Sequence, residues 1–322
     1  MDRPSTRPIL EFMLSPLAFE LPVFILGLLF GSFLNVCISR LPDHRSINKP
    51  RSHCPKCKQT IRWYDNIPLL SWVLLRARCR HCKTPISRQY PLVELAMGLW
   101  FLEILSLVFT LEMANIHGLS GPTTNDFIGV AALAILGFLL IGLLVMDWQT
   151  HTLPDAFTLT GAAIGFFLVC VQAIFLAPGE DEIKLNPRHG LRMSSPGSFV
   201  AKGNVFLTGP EHIVFGRLAA IVGAALLLLA IRAIYKSIRH REGLGLGDVK
   251  LLAMIAAFLG FWPAILALFL GVILTSVYAV ILLARRKADA ATHLPLGTFL
   301  SIGGLIAALF GGPLIAWYSS LL

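Results

Sequence analysis

The stretch LLIGLLVMDWQTHTLPD, Leu139 to Asp155, sets the reading of the whole chain. Its apolar half completes a run over about 128–146, long enough to cross a bilayer, for which an α-helix needs about 20 residues. The run stops at an acid, Asp147, and a second acid, Asp155, follows a polar turn that ends in Pro154. A carboxylate at the edge of a membrane is costly unless it faces a polar cavity or a partner, which makes Asp147 a functional candidate by default. The plainer alternative is a helix-end aspartate whose side chain escapes into water. For Asp155, which precedes the next apolar run, N-capping or dipole stabilisation in a first helical turn is a sufficient explanation without chemistry.

Comparable runs lie near 18–38, 93–113, 156–177, 214–235, 263–284 and 296–318. A shorter one, LLAMIAAFLGFWP, covers about 250–262 and ends at Pro263, which makes it a short, tilted or re-entrant span. The chain is 56% hydrophobic and 14% charged, too few charges to cover a water-soluble globule of 322 residues. The expected fold is therefore an all-α polytopic membrane protein of about eight transmembrane helices. The first run continues past any small-residue cleavage site and reads as a retained anchor.

A formal charge of +9 raises the question of nucleic acid. In a membrane protein, however, Lys and Arg collect in cytoplasmic loops and report topology first. The segment from Arg40 to Arg88 carries Arg40, Arg45, Lys49, Arg51, Lys56, Lys58, Arg62, Arg76, Arg78, Arg80, Lys83 and Arg88 against Asp43 and Asp65, and is expected to be cytoplasmic. Counting spans from it brings DWQTHTLPD, YKSIRHREGLGLGDVK and ARRKADAATHLP to the same side and leaves both termini outside. The Gly/Pro/Ser-rich loop at about 178–213 then falls outside as well. The domain reading is a first helix over 1–38, a cytoplasmic loop over 39–92, and a membrane domain of seven further helices over 93–322. Basic residues against a membrane suit anionic lipid headgroups, and no nucleic-acid partner is expected.

Within that loop stand CPKC and CRHC, which place Cys54, Cys57, Cys79 and Cys82 as two C-x-x-C knuckles. Paired knuckles at this spacing offer four thiolates to one tetrahedral Zn²⁺. A disulfide framework is disfavoured where thiols stay reduced, and a redox pair by the two copies without a surrounding βαβ pattern. Zinc held by four sulfurs keeps no open position, so it staples a segment too short for its own core and leaves catalysis elsewhere. Cys37 and Cys170 fall in apolar runs and read as small buried hydrophobes.

EGLGLGDVK, Glu242 to Lys250, supplies a second acid at a cytoplasmic boundary, Asp248. Glycines at 243, 245 and 247 allow backbone conformations closed to other residues and leave no Cβ between chain and substrate. A glycine-rich turn with an aspartate is also an ordinary way to begin a helix. Asp147 and Asp248 are thus expected at one membrane depth. Two carboxylates in a partly desolvated site hold one proton between them, which provides an acid and a base together. The ionised member can take a proton from water attacking a peptide carbonyl while the other polarises the carbonyl oxygen. No H-E-x-x-H or G-x-S-x-G competes with this reading. His151, His240 and His293 read as interfacial polar residues. An ion or proton relay through the same carboxylates stays open, as does a non-catalytic zinc-ribbon adaptor.

The chain resembles the type IV prepilin peptidases, the bifunctional leader peptidase/N-methyltransferases of bacterial inner membranes. The likeness rests on GSFLNVCISRLP, WYDNIPLLSWVLLRARCRHCKTPISRQYPLVELAMG, DWQTHTLPD, GLGLGDVKLLAMIAAFLG and LPLGTFLSIG, which occur in the family's order. The resemblance implies a G-x-G-D aspartic protease that cuts the basic leader from prepilins and pseudopilins after a glycine at the cytoplasmic membrane edge, in service of type IV pili or type II secretion. It also implies methylation of the new N-terminus from S-adenosyl-L-methionine. It places the catalytic pair on Asp147 and Asp248 and the four metal ligands on Cys54, Cys57, Cys79 and Cys82, with Asp155, Gly245, Gly247 and Lys250 as supporting residues. The family's late motif usually reads P-x-G-P, whereas PLGT ends in Thr298, a change expected to loosen the start of the last helix without touching a carboxylate.

Overall fold

The computed structural model describes residues 16–115, 124–176, 185–186, 190–191, 211–239, 244–285 and 294–321. Gly243, His240 and His293 lie outside these residues. So does most of the 178–213 loop, of which a two-residue antiparallel pairing of Leu185–Asn186 with Gly190–Leu191 and the start of a helix are described. The chain divides into two compact units, Met1–Gly121 and Pro122–Leu322.

In the first unit, α1 (Pro16–Arg40) packs on α3 (Gln89–Asn115). The two backbones approach through small residues, as helices do where lipid offers no hydrophobic drive to associate. A Cβ on Gly31 would stand 2.6 Å from the Cα of Glu94. Between these helices the loop folds into a 3₁₀ turn, Trp63–Asn66, and a short helix, α2 (Leu70–Leu74). Cys37 is buried, whereas Cys170, in the second unit, is only partly so.

The second unit is a bundle of α4 (Thr124–Thr150), α5 (Asp155–Leu176), α6 (Glu211–Arg239), α7 (Leu246–Leu259), α8 (Phe261–Ala284) and α9 (Leu296–Ser319). Among the described residues seven helices are long and apolar enough to cross a membrane. The eighth, α7, has 14 residues. That length spans about 21 Å, short of the roughly 30 Å hydrocarbon core. Its sequence is apolar on every side, and helices of that kind are buried all round. Leu251, Leu252, Met254, Ile255, Ala256 and Ala257 are completely buried against α4, α5, α6, α8 and α9. The short span is therefore the centre of its unit.

The break between α7 and α8 falls at Gly260, three residues before Pro263, where the sequence reading had put it. Gly260 adopts φ +93°, a conformation open to glycine and strained for other residues. Pro263 instead sits in the first turn of α8, where its missing N–H has no intrahelical partner to lose.

Candidate active site and candidate metal centre

Four helix ends of the second unit meet at one end of the bundle. Asp147 lies near the C-terminus of α4 and is 6% exposed. The helix closes one turn later, with the His151 N–H donating to the Asp147 carbonyl at 2.9 Å and His151 itself exposed at φ +51°. Leu153 and Pro154 turn the chain, and Asp155 opens α5 in its first turn, where an acid complements the helix dipole. Lys250, one turn into α7, reaches it with Nζ 2.6 Å from Oδ1.

Asp248 occupies the third helical position of α7, whose N-cap is Gly245. Its carboxyl interacts with the Gly245 backbone. This is one half of a capping box: a third-position acid turns back to the cap, and the glycine there has no side chain to answer it. Leu153 lies against both Gly247, next to Asp248, and Gly297, whose Cβ position is 3.0 Å from Asp147 Cγ, so the two acids, distant in sequence, come to the same end of the bundle.

Gly245 and Gly247 serve by lacking a Cβ, not by unusual backbone angles. Gly245 has φ −74° and ψ 151°, open to any residue. A Cβ on Gly247 would press 3.0 Å from Leu153 Cδ1, and one on Gly245 would stand 3.4 Å from Asp248 Oδ2. Leu153 also blocks a Cβ on Gly297, at 2.9 Å, so its side chain wedges between the starts of α7 and α9. On its other side a Cβ on Gly297 would meet Asp147 Cγ at 3.0 Å.

Thr298 overturns the expectation that it touches no carboxylate. Its backbone N–H donates to Asp147 Oδ2 at 2.7 Å and its hydroxyl lies 3.0 Å from the same oxygen. A proline there would have neither donor. Identity at this position signalled only a lost proline; the contact depends on α9 beginning beside the end of α4.

In the first unit the four expected cysteines come together, their Sγ atoms all within 4.8 Å of one another. Cys54 and Cys82 Sγ are 3.7 Å apart. Four sulfurs about 2.3 Å from a tetrahedral zinc would be separated by about 3.8 Å, so the donor set fits the ion. The two knuckles repeat one geometry. Cys54 N–H donates to the Gln59 carbonyl and Lys58 N–H to the Cys54 carbonyl, both at 2.9 Å; Cys79 pairs with Thr84 and Lys83 with Cys79 in the same way. Lys58 and Lys83 both take positive φ, at 58° and 57°. All four thiols are free of disulfides. The Thr84 hydroxyl, then its backbone, draw the Cys82 thiol down to about 6. Arg80 grips Asp65 through two nitrogens and holds that carboxyl below the usual range.

A cavity of about 560 Å³ lies beside the knuckles, lined among others by Asn35, Arg40, Trp72, Tyr90 and Glu94. Glu94 is 8% exposed and accepts the Leu69 N–H at 2.8 Å on Oε2. No part of the sequence reading singled out this cavity, because its walls come from α1, the loop and α3.

Two family models match the chain. Residues 25–108 match the Bacterial Peptidase A24 N-terminal domain and 196–280 the Type IV leader peptidase family. Asp248 lies inside the second segment and Asp147 outside both. A protein of Stutzerimonas stutzeri named prepilin leader peptidase/N-methyltransferase is 32% identical, with 96% of each chain covered. Proteins of the same name from Aeromonas hydrophila and Pseudomonas aeruginosa are 31% and 30% identical, over 92% and 97% of each chain. No solved structure matches.

Proposed function

The chain belongs to the type IV leader peptidase family, and from that premise we propose that it is a membrane aspartic endopeptidase whose catalytic pair is Asp147 and Asp248. Its substrates are prepilins and pseudopilins, cut after a glycine at the cytoplasmic face of a bacterial inner membrane. The observation that carries the reading is the meeting of a buried Asp147 with a half-buried Asp248 at one end of the helical bundle. A relay of ions would also use intramembrane acids, but it has no need of the exposed Gly245, where the one side chain near an added Cβ is that of Asp248.

In the proposed reaction one carboxyl is protonated and the other ionised. The ionised group takes a proton from water as the water oxygen bonds to the scissile carbonyl carbon, and the protonated group gives its hydrogen to the carbonyl oxygen. The resulting gem-diol collapses: the C–N bond breaks, a proton passes to the leaving amine, and the leader departs with a new carboxylate. A substrate with a basic leader followed by a membrane-embedded helix presents its junction at the depth of these acids. The four-cysteine cluster holds Zn²⁺ as a structural staple of the 39–92 loop.

Methylation of the new N-terminus is the second half of the proposal, by likeness to the named relatives. S-adenosyl-L-methionine supplies an electrophilic methyl group on a sulfonium. The cavity of the first unit fits such a molecule, since about 300–1,000 Å³ is usual for ligands of this class. Trp72, Tyr90 and the buried Glu94 line it, and they are the residues that would hold the purine and the sulfonium charge. Incubating the purified full chain with a prepilin and labelled S-adenosyl-L-methionine, then weighing the product, tests both halves. Loss of the leader mass is expected from the wild type and not from Asp147→Asn or Asp248→Asn. Leader removal that persists in both variants refutes the catalytic pair.

A further inference from the structure

We propose that Thr298 is a positioning residue for Asp147, a hydroxyl rotor that keeps the carboxyl aligned in both of its protonation states. The inference rests on Asp147 being one of the catalytic acids.

Thr298 is 3% exposed, at the start of α9. Two donors of this one residue converge on one oxygen, Oδ2, from the backbone at 2.7 Å and the hydroxyl at 3.0 Å. Two donors on one oxygen fix the plane of a carboxylate that would otherwise rotate about its last torsion, a broad and soft one. With Oδ2 so held, the direction in which Oδ1 points is fixed as well.

The hydroxyl has a second acceptor. Its oxygen lies 3.3 Å from the Leu144 carbonyl, on the same helix as Asp147. A threonine hydroxyl carries one hydrogen and two lone pairs, so it can serve one acceptor at a time and accept in return. While Asp147 is ionised, the hydrogen points to Oδ2. Once Oδ2 carries a proton, the hydrogen turns to Leu144 and the hydroxyl oxygen accepts from the acid. No proton is gained or lost by Thr298 in this exchange, and no heavy atom has to move. Proline at the same position would lack both donors.

The packing alternative makes an opposite prediction. Valine matches threonine in shape, whereas serine keeps the hydroxyl and drops the methyl group. Steady-state cleavage of a prepilin by the full chain in detergent micelles, with thermal unfolding of each variant, separates the two. Thr298→Ser is expected to keep kcat within about 3-fold of wild type, and Thr298→Val to lower kcat about 10-fold or more with KM unchanged, the mark of an interaction made during the chemical step. Should the valine variant fail to fold, Thr298→Ala against Thr298→Ser poses the same question. Valine equal to wild type with serine impaired, or a change confined to KM, overturns the proposal. If Asp147→Asn still cleaves, the catalytic reading itself has failed, and the two failures are distinct.

Discussion

Lys250 and Asp155 are joined at 2.6 Å across 95 residues of sequence, tying the first turn of α7 to the first turn of α5. Lys250 follows Asp248 by about half a helical turn, so the pair helps set where that acid sits. The side chains are 34% and 59% exposed. An ion pair this open contributes at most about 1 kcal/mol, and less in salt. Lys250→Asp or Asp155→Lys alone is expected to lower the unfolding midpoint slightly and slow leader cleavage several-fold. The double exchange should recover most of both. Thermal unfolding and cleavage of the three variants measure this, and a double variant no better than the singles argues against the pair as a positioning element.

Asp147→Asn and Asp248→Asn should each fold and fail to cut. General acid–base catalysis is worth about 10²–10⁴-fold for each group, and two groups acting on one water do not add independently. Prepilin cleavage followed by mass, with unfolding midpoints as a control for folding, checks this. Normal cleavage by either variant removes that residue from the mechanism.

Gly297→Ala is a test of crowding. The added methyl would lie 3.0 Å from Asp147 Cγ and 2.9 Å from Leu153 Cδ1, both tighter than ordinary contact. Leu153 can yield, but the acid can move only by leaving its alignment. A displacement near 1 Å can cost about 10²-fold in rate. The expected result is a kcat lowered by about 10- to 100-fold in a folded protein, read from steady-state kinetics. Full activity would mean that the acid tolerates displacement.

The knuckles should carry one zinc for each chain, measurable by elemental analysis of the purified protein. Chelation, or Cys79→Ser, is expected to expose the 41–88 loop to limited proteolysis, because the metal supplies folding energy that so short a segment lacks. A loop equally resistant with and without metal would place its stability in Arg80–Asp65 and the contacts to α3 instead.

The spans, the two acids and the four thiols were legible in one dimension because each follows from a local rule. Apolar length reports a crossing, an acid at its edge reports a cost that needs a reason, and C-x-x-C spacing reports a tetrahedral ion. Gly247 was legible as a place where a Cβ is unwelcome, but the neighbour it makes room for was not. Its role is to admit Leu153, and no local pattern names the side chain that will press on a glycine from a distant turn. The status of α7 was ambiguous for a similar reason, since a run apolar on all sides does not say what surrounds it.

By itself, then, the order of residues determined a membrane-spanning helical chain with acids at the edges of two apolar runs and two cysteine knuckles, because solvent transfer and ligand geometry act residue by residue. Tertiary structure alone decided that α7 is the core of its unit, that Leu153 spaces the starts of α7 and α9, and that Thr298 grips Asp147. Those outcomes depend on which helix ends arrive together in space. A hydrogen bond of 2.7 Å between residues 151 positions apart is settled by that arrival and by nothing nearer in the chain.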